Sequence, residues 1–271
     1  MADWKSEQRS REQRLNAGAK FAEGKMVAPS ASTALLQAVI RPGDRICLEG
    51  DNQKQADFLA ACLANADPKV LHDLHVVQSG IVLPEHIDLF EKGIAKRLDY
   101  SYSGPQGAAV ARALNSGRIE LGAIHTYIEL FARYFIDLTP HVALTVARSA
   151  DRDGNLYMGP NTEDSPAVIE ATAFKGGIVV AQVNEVVDKL PRVDVPGDRV
   201  DFMVVTPKPF YVEPLFTRDP ASITEIQILA AMMAIKGIYA EYGIKRLNHG
   251  IGFNTAAIEL LLPTYADKLG L

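Results

Sequence analysis

Four short stretches of the chain carry the residue types and turns that could bind a small polar or anionic ligand. The first is Glu49-Gly50-Asp51-Asn52-Gln53, between an apolar strand-like run and an apolar helix-like run. Gly50 permits a sharp turn, Asp51 or Asn52 suits a helix cap, and free N–H groups there suit a phosphate or carboxylate. An ordinary capped turn has the same composition. The second is Ile124-His125-Thr126-Tyr127, which places a histidine where a strand becomes a helix. His125 there serves either as a donor to a carboxylate or thioester oxygen, or as a structural hydrogen-bonding group. The third runs from Ala150 to Asp164. Asp153-Gly154-Asn155 marks a turn, and the polar residues Asn161, Thr162, Glu163 and Asp164 precede an apolar helix. Capping by Thr162 or Asp164 competes with a binding role. The fourth, Leu247-Asn248-His249-Gly250-Ile251-Gly252-Phe253-Asn254-Thr255, reads as a strand end, a glycine turn and a helix start. It is not a dinucleotide fingerprint, because Thr255 stands where a third glycine belongs. Free N–H groups at Gly250 and Gly252 suit an anion or oxyanion; close helix-to-sheet packing explains the glycines equally.

Stronger single motifs are missing: the chain has no GxSxG elbow, P-loop or HExxH. His72 and His75, read as one strand, point to opposite faces and argue against a shared metal. No metal site is expected.

The elements that would position these turns alternate between strand and helix. Strands are expected at Arg45 to Glu49, Val70 to Val77, Arg97 to Tyr102, Ile119 to Ile124, Val142 to Ala147, Ile178 to Val183 and Asp201 to Val205. Helices are expected at Asp57 to Leu63, Pro84 to Lys92, Ala108 to Leu114, Ile128 to Phe135 and Ala167 to Phe174. Largely apolar runs rich in β-branched residues, such as Ile178 to Val183, indicate strands covered on both faces. The fold expected is therefore α/β, a doubly wound, mostly parallel sheet flanked by helices, with ligands beyond the carboxyl ends of the strands. From Asp188 to Pro220 repeated prolines break any long helix. A helix then follows the capping-box pattern Ser222-Ile223-Thr224-Glu225 and stops near Gly243. It is apolar nearly all round, the pattern of a helix inside a protein or under a partner.

Composition sets limits on function. Of 271 residues, 48% are hydrophobic and 23% charged, with a net charge of −5. That balance lacks the electrostatic footprint of a nucleic-acid binder. No apolar run approaches the length of a membrane span, and the amino-terminal residues form no signal core, so a cytoplasmic protein is expected. Residues 1–30 read as a polar helical extension, solvated and supported by a Glu7–Arg11 pair, with residues 31–271 as the α/β domain. Cys47 and Cys62 read as buried thiols.

Read in order, EGDNQKQADFL, HDLHVVQS, AIHTYIELFARYF, DRDGNLYMGPNTEDSP, AQVNEVVDKLPRVDVPGDRVDF, EPLFTRDP and LNHGIGFNTAAIELLLP resemble the malonate decarboxylase alpha subunit. VNEVVDKLPRVDVPG and HGIGFN also resemble the wider coenzyme A transferase superfamily. The resemblance implies a coenzyme A transferase-like fold and an acyl exchange: acetyl-S-carrier plus malonate gives malonyl-S-carrier plus acetate. It implies an acyl carrier protein and decarboxylase subunits as partners. The carrier's thiol then belongs to a prosthetic group derived from dephospho-coenzyme A, and no cofactor is expected to be bound covalently to this chain. Superfamily members use a glutamate nucleophile, forming a mixed anhydride and then an enzyme thioester. Family chains are about twice as long, so that glutamate is expected outside this chain; Glu163, Glu213 and Glu259 are the remaining carboxylates to consider. The implied substrate and carrier-arm residues are Gly50, Asp51, Asn52, Gln53, His125, Asn161, Thr162, Glu163, Asn184, Gly250, Gly252, Phe253 and Asn254. Exchange on another acid, such as citrate or acetate, and a non-catalytic assembly module are the alternative readings.

Overall fold

The computed structural model describes residues 4–50, 54–210 and 218–271. Strand formation follows the apolar runs. β1 (Ala22–Glu23), β2 (Met26–Val27), β3 (Arg45–Leu48), β4 (Leu74–Gly80), β5 (Ala95–Tyr102) and β6 (Glu120–Ile124) precede β7 (Val142–Ala150), β8 (Leu156–Tyr157), β9 (Ile178–Val186) and β10 (Phe202–Val205). They form one sheet in the order β1-β2-β10-β9-β7-β3-β4-β5-β6, with β8 paired to β7. From β10 to β6 every pairing is parallel, and only the β1–β2 and β7–β8 pairs are antiparallel.

Period-two alternation sends side chains to two cores. Ile46, Leu48, Val142, Leu144, Ile178 and Val180 face one core, shared with helices α2 (Ser32–Val39), α3 (Asp57–Ala64), α4 (Pro84–Glu91) and α5 (Gly107–Asn115). Cys47, Ala143, Val179, Ala181 and Val183 face the other, under α6 (Tyr127–Ile136) and α7 (Ser165–Phe174). Both faces are therefore covered, which explains why β3 and the first six residues of β7 and β9 have no exposed positions. From β3 the chain winds through β4 and β5 to β6, then returns through α6 to place β7 on the other edge of β3. The winding direction reverses there, and the carboxyl ends of β3 and β7 open the crevice where such sheets take ligands.

The amino-terminal helix α1 (Trp4–Gly18) is anchored rather than solvated along its length. Arg14 is buried and donates to both carboxylate oxygens of Asp44 and to Val39 O at 2.7 Å. Arg11 pairs with Asp201 at 2.6 Å instead of closing the expected pair with Glu7. Residues Met1–Glu213 form one compact unit and Pro214–Leu271 a second.

The second unit is helical where described. α8 (Glu225–Ala234) runs into a π-helical segment, Ile235–Ala240, and α9 (Phe253–Leu269) packs on α8. The capping box is Thr224 with Gln227, two residues later than the sequence pattern suggested, because Pro220–Ser222 forms its own short turn of 3-10 helix. Within the described chain α8 is not enclosed: Ile226 is 79% exposed and Met233 66%.

Two further expectations shift. The strand expected from Val70 begins only at Leu74, since Asp73 takes φ = 57° and breaks extension. His72 thus stands in the turn, paired with Asp73 at 2.8 Å. No strand precedes the Gly250–Gly252 turn among the described residues.

Candidate functional site

Where the winding reverses, the carboxyl end of β3 delivers Glu49 into the interior. Its register beside β7 places it next to Thr145 and Val146. The carboxylate accepts from Val146 N at 3.1 Å, from the Thr145 hydroxyl and from the Ser165 hydroxyl. Lys54 closes the group: its ammonium lies 2.5 Å from Glu49, donates to Ser165 Oγ and reaches Thr162 O at 3.3 Å. Both side chains are 1% exposed or less. A pair this buried survives only with its remaining hydrogen-bonding capacity filled, which Thr145, Val146 and Ser165 do. The pair ties the turn after β3 to the amino terminus of α7. Ser79, at the end of β4, extends the tie: its hydroxyl lies 3.0 Å from Gly50 O and 2.7 Å from Asp164 Oδ2, and its single proton can serve either.

Gly50 bends as expected. Its φ of 153° favours glycine, and a Cβ there would lie 2.6 Å from both Lys54 O and Gln55 Oε1. Asp51, Asn52 and Gln53 lie outside the described residues.

Next to this pair stand Asn161, Thr162 and Glu163. Asn161 is fully buried, yet among the described residues neither its side-chain amide nitrogen nor its side-chain oxygen has a hydrogen-bond partner. Glu163 has φ = 20° and one buried, unpartnered oxygen. Thr162 is exposed. Neither Thr162 nor Asp164 caps α7; Asp164 holds the N-cap position without a side-chain cap bond. Thr162 also lines a cleft of about 440 Å³ with Arg148, Tyr157, Gly159 and Leu190, beyond the ends of β7 and β9. Arg148 is the one exposed side chain in β7.

The other expected residues of this unit are committed elsewhere. His125 is buried, with Nε2 2.8 Å from Asp99 Oδ1 and Nδ1 3.2 Å from Glu129 Oε1. Asp99 also accepts from His75 at 2.7 Å. Burial pushes the Asp99 carboxyl up, but the hydrogen bonds from His75 and His125 outweigh it and hold its pKa at about 2. Gly122 leaves room for this carboxylate, since a Cβ there would fall 1.8 Å from Asp99 Oδ2. Thr126 caps α6 through Glu129 N. Asn184 donates to Phe210 O at 2.6 Å and accepts from Phe210 N at 2.9 Å, so it holds backbone.

In the second unit, Gly250 and Gly252 lie free of close packing: a Cβ on either would meet nothing within 4 Å. That removes the packing explanation for them within the described chain. Gly252 is the N-cap of α9 and Phe253 and Asn254 open the helix. The turn borders a cavity of about 210 Å³ with Arg218, Ile223 and Glu259. His249 is fixed beside it, with Nε2 2.8 Å from the Tyr239 hydroxyl and Nδ1 3.2 Å from Glu259. Arg218 lies 5.8 Å from the Phe253 ring centre.

The structure thus brings Gly50 together with the Asn161–Glu163 loop and leaves His125 and Asn184 in separate hydrogen-bonded groups. Sequence reasoning missed Glu49, Lys54, Ser79, Thr145 and Ser165 as a connected set. The available signal was a glutamate ending an apolar strand, followed by a lysine before an apolar helix.

A parallel sheet with its polar crevice at the reversal of winding is the architecture of coenzyme A transferase-like proteins. An acyl-CoA transferase from Escherichia coli O157:H7 matches 87% of this chain and 59% of its own, with a TM-score of 0.63 at 16% identity, which speaks for the fold alone. The family model described as "Malonate decarboxylase, alpha subunit, transporter" matches residues 3–271, and the chain belongs to that family. It is 62% identical over 261 residues to an acetyl-S-ACP:malonate ACP transferase of Malonomonas rubra, covering 96% of this chain and 47% of the relative. A Pseudomonas malonate decarboxylase hetero-tetramer in complex with malonate contains a chain 54% identical to it, with a TM-score of 0.87 over 99% of this chain and 50% of the other. The chain therefore spans about half the length of these relatives.

Proposed function

We propose that this chain takes part in acyl exchange on a carrier thiol, converting acetyl-S-carrier and malonate into malonyl-S-carrier and acetate during malonate decarboxylation. The observation that carries the reading is the 62% identity, over 96% of the chain, to a protein described as performing that transfer. The geometry supports it: an unfilled polar loop and a cleft stand at the ligand end of the sheet, next to a buried ion pair that fixes their backbone. Its partners in this reading are an acyl carrier protein bearing a dephospho-coenzyme A-derived group and the decarboxylase subunits. Gly50, Asn161, Thr162 and Glu163 serve the substrate or the arm in one unit; Gly250, Gly252, Phe253 and Asn254 do so in the other.

The reading assigns no residue of this chain as the acyl-accepting carboxylate. The test is thioester exchange with acetylated carrier and isotopically labelled malonate, run with the chain alone and with the remaining half of a family member supplied. Malonyl thioester in either reaction supports the reading, and its absence from a folded, complemented pair sinks it. Preference for citrate over malonate in competition would instead favour a related transferase. Exposed apolar side chains on α8 favour an additional role in assembly, which predicts subunit binding that persists when exchange is blocked.

A further inference from the structure

The turn after β3 and the loop before α7 meet where Lys54 donates to Thr162 O at 3.3 Å. Each segment carries, one residue from that contact, a buried side-chain amide with nothing to bond. Gln55 is 3% exposed and Asn161 0%, and all four of their amide nitrogen and oxygen atoms lack a partner among the described residues. The backbone around them is not loose. Gln55 pairs with Gly50 in a β-bridge, and Gln182 Nε2 donates to Gln55 O at 3.3 Å. Glu163 is held at φ = 20°, a conformation that side-chain-bearing residues rarely adopt. Unfilled buried amides are rare in folded proteins, and two on adjoining fixed segments mark a place shaped for something else.

Their chemistry restricts what that is. A primary amide presents both N–H donors and a carbonyl acceptor, so its complement must present both kinds of group. Malonate and acetate are ionised at neutral pH and offer acceptors only. A coenzyme A-type arm contains secondary amides, each with one N–H and one C=O. We propose that Gln55 and Asn161 bind the amide groups of the thioester's pantetheine arm rather than the carboxylic acid that exchanges on it. The inference rests on the acyl-carrier reading above. The cleft that Thr162 lines with Arg148, Tyr157 and Gly159 begins one residue from Asn161, which is itself closed from solvent.

Calorimetric titration of the chain with pantetheine, and separately with malonate, tests this without requiring turnover. Asn161→Leu and Gln55→Leu are each expected to weaken pantetheine binding at least tenfold and to change malonate binding less than twofold. Unchanged pantetheine affinity in both variants would overturn the assignment, as would loss of malonate binding in its place. So would failure of the wild-type chain to bind pantetheine, which would leave the amides to buried water. A second measurement needs no variant: competition against pantetheine by butanethiol, which has no amide. Butanethiol competing equally well overturns the proposal, and at least tenfold weaker competition supports it. A chain that binds pantetheine in this way but yields no malonyl thioester when complemented keeps the amide assignment and loses the transfer reading.

Discussion

Two polar turns within one short stretch end in opposite states. Asp151 is buried and accepts from Asp153 N and Asn155 N at 3.0 Å and from Asn155 Nδ2 and Tyr157 OH at 2.8 Å. Its neighbours are filled as well: Asn155 Oδ1 accepts from Gly197 N, and Tyr157 OH accepts from Leu190 N, both at 2.9 Å. The Asn161 side chain, equally buried, has no hydrogen-bond partner among the described residues. The two turns are alike in composition, and their hydrogen-bond inventories separate them. A closed inventory marks a turn that holds the scaffold, and an open one marks a turn that awaits a ligand.

The difference is tested most severely at the pair under the open turn. Lys54→Met leaves the Glu49 carboxylate buried without its cation, which is expected to cost about 3–5 kcal/mol. Adding Glu49→Gln removes the stranded charge, and the double variant is expected to recover at least half of the loss in a denaturant titration. Additive costs would show that the two groups do not act as a pair. Asp151→Ala comes next. It strands donors on Asn155 and Tyr157 and is expected to cost about 3 kcal/mol. Pantetheine affinity of the folded variant should stay within twofold of wild type, because this turn holds scaffold rather than ligand. A stability loss below about 1 kcal/mol would break the contrast between the two turns.

Acid provides a smaller and graded version of the same experiment. Burial raises the Asp151 carboxyl, but hydrogen bonds from the Asn155 and Tyr157 side chains, with backbone donors behind them, outweigh it and leave its pKa below the ordinary carboxylate value. A depressed folded pKa means that the unfolded chain takes up the proton first as pH falls. The stabilisation is therefore complete above the unfolded value, near 4, and disappears as pH drops through the lower folded value. Denaturation midpoints of wild type and Asp151→Asn should converge over that window. A gap that stays constant from pH 5 to pH 3 would contradict the assignment.

Much of the frame is legible in the amino-acid order, and the reasons are local. Ile178 to Val183 is rich in β-branched residues and broken by a single polar one, Gln182, so a strand buried on both faces is its most economical state. Thr126, directly before an amphipathic run, caps α6 as its type predicts. What escapes is whatever depends on distant segments. A lysine in a polar turn ordinarily faces water, and Lys54 is buried only because Ser165, 111 positions away, meets it. Thr145 stands 96 positions from the Glu49 it bonds. His125 looked available because no local pattern reveals Asp99, 26 positions away, which engages Nε2; Glu129, four positions on, is the one partner within local reach. The start of β4 slipped because Val70 and Leu71 are apolar enough for a strand, while the left-handed Asp73 that ends the preceding turn carries no marker of its own.

The smallest expected effect has the opposite sign, and that makes it the most discriminating. In Asn161→Leu a side chain of the same heavy-atom branching, though larger, replaces an amide that has no hydrogen-bond partner among the described residues. Nothing is stranded by the change, and desolvation of an unfilled polar group is relieved. Stability should stay level or rise by about 1 kcal/mol, read as a higher Tm or denaturation midpoint. Asp151→Ala lowers stability and spares ligand affinity, whereas Asn161→Leu should preserve stability and weaken pantetheine. A Tm several degrees lower in Asn161→Leu would mean that the amide is filled in solution, by water or by a partner group, and the contrast between the turns would fail. A Tm that holds while ligand affinity falls would place the amide's purpose in recognition, because residues kept against the interest of stability are kept for function.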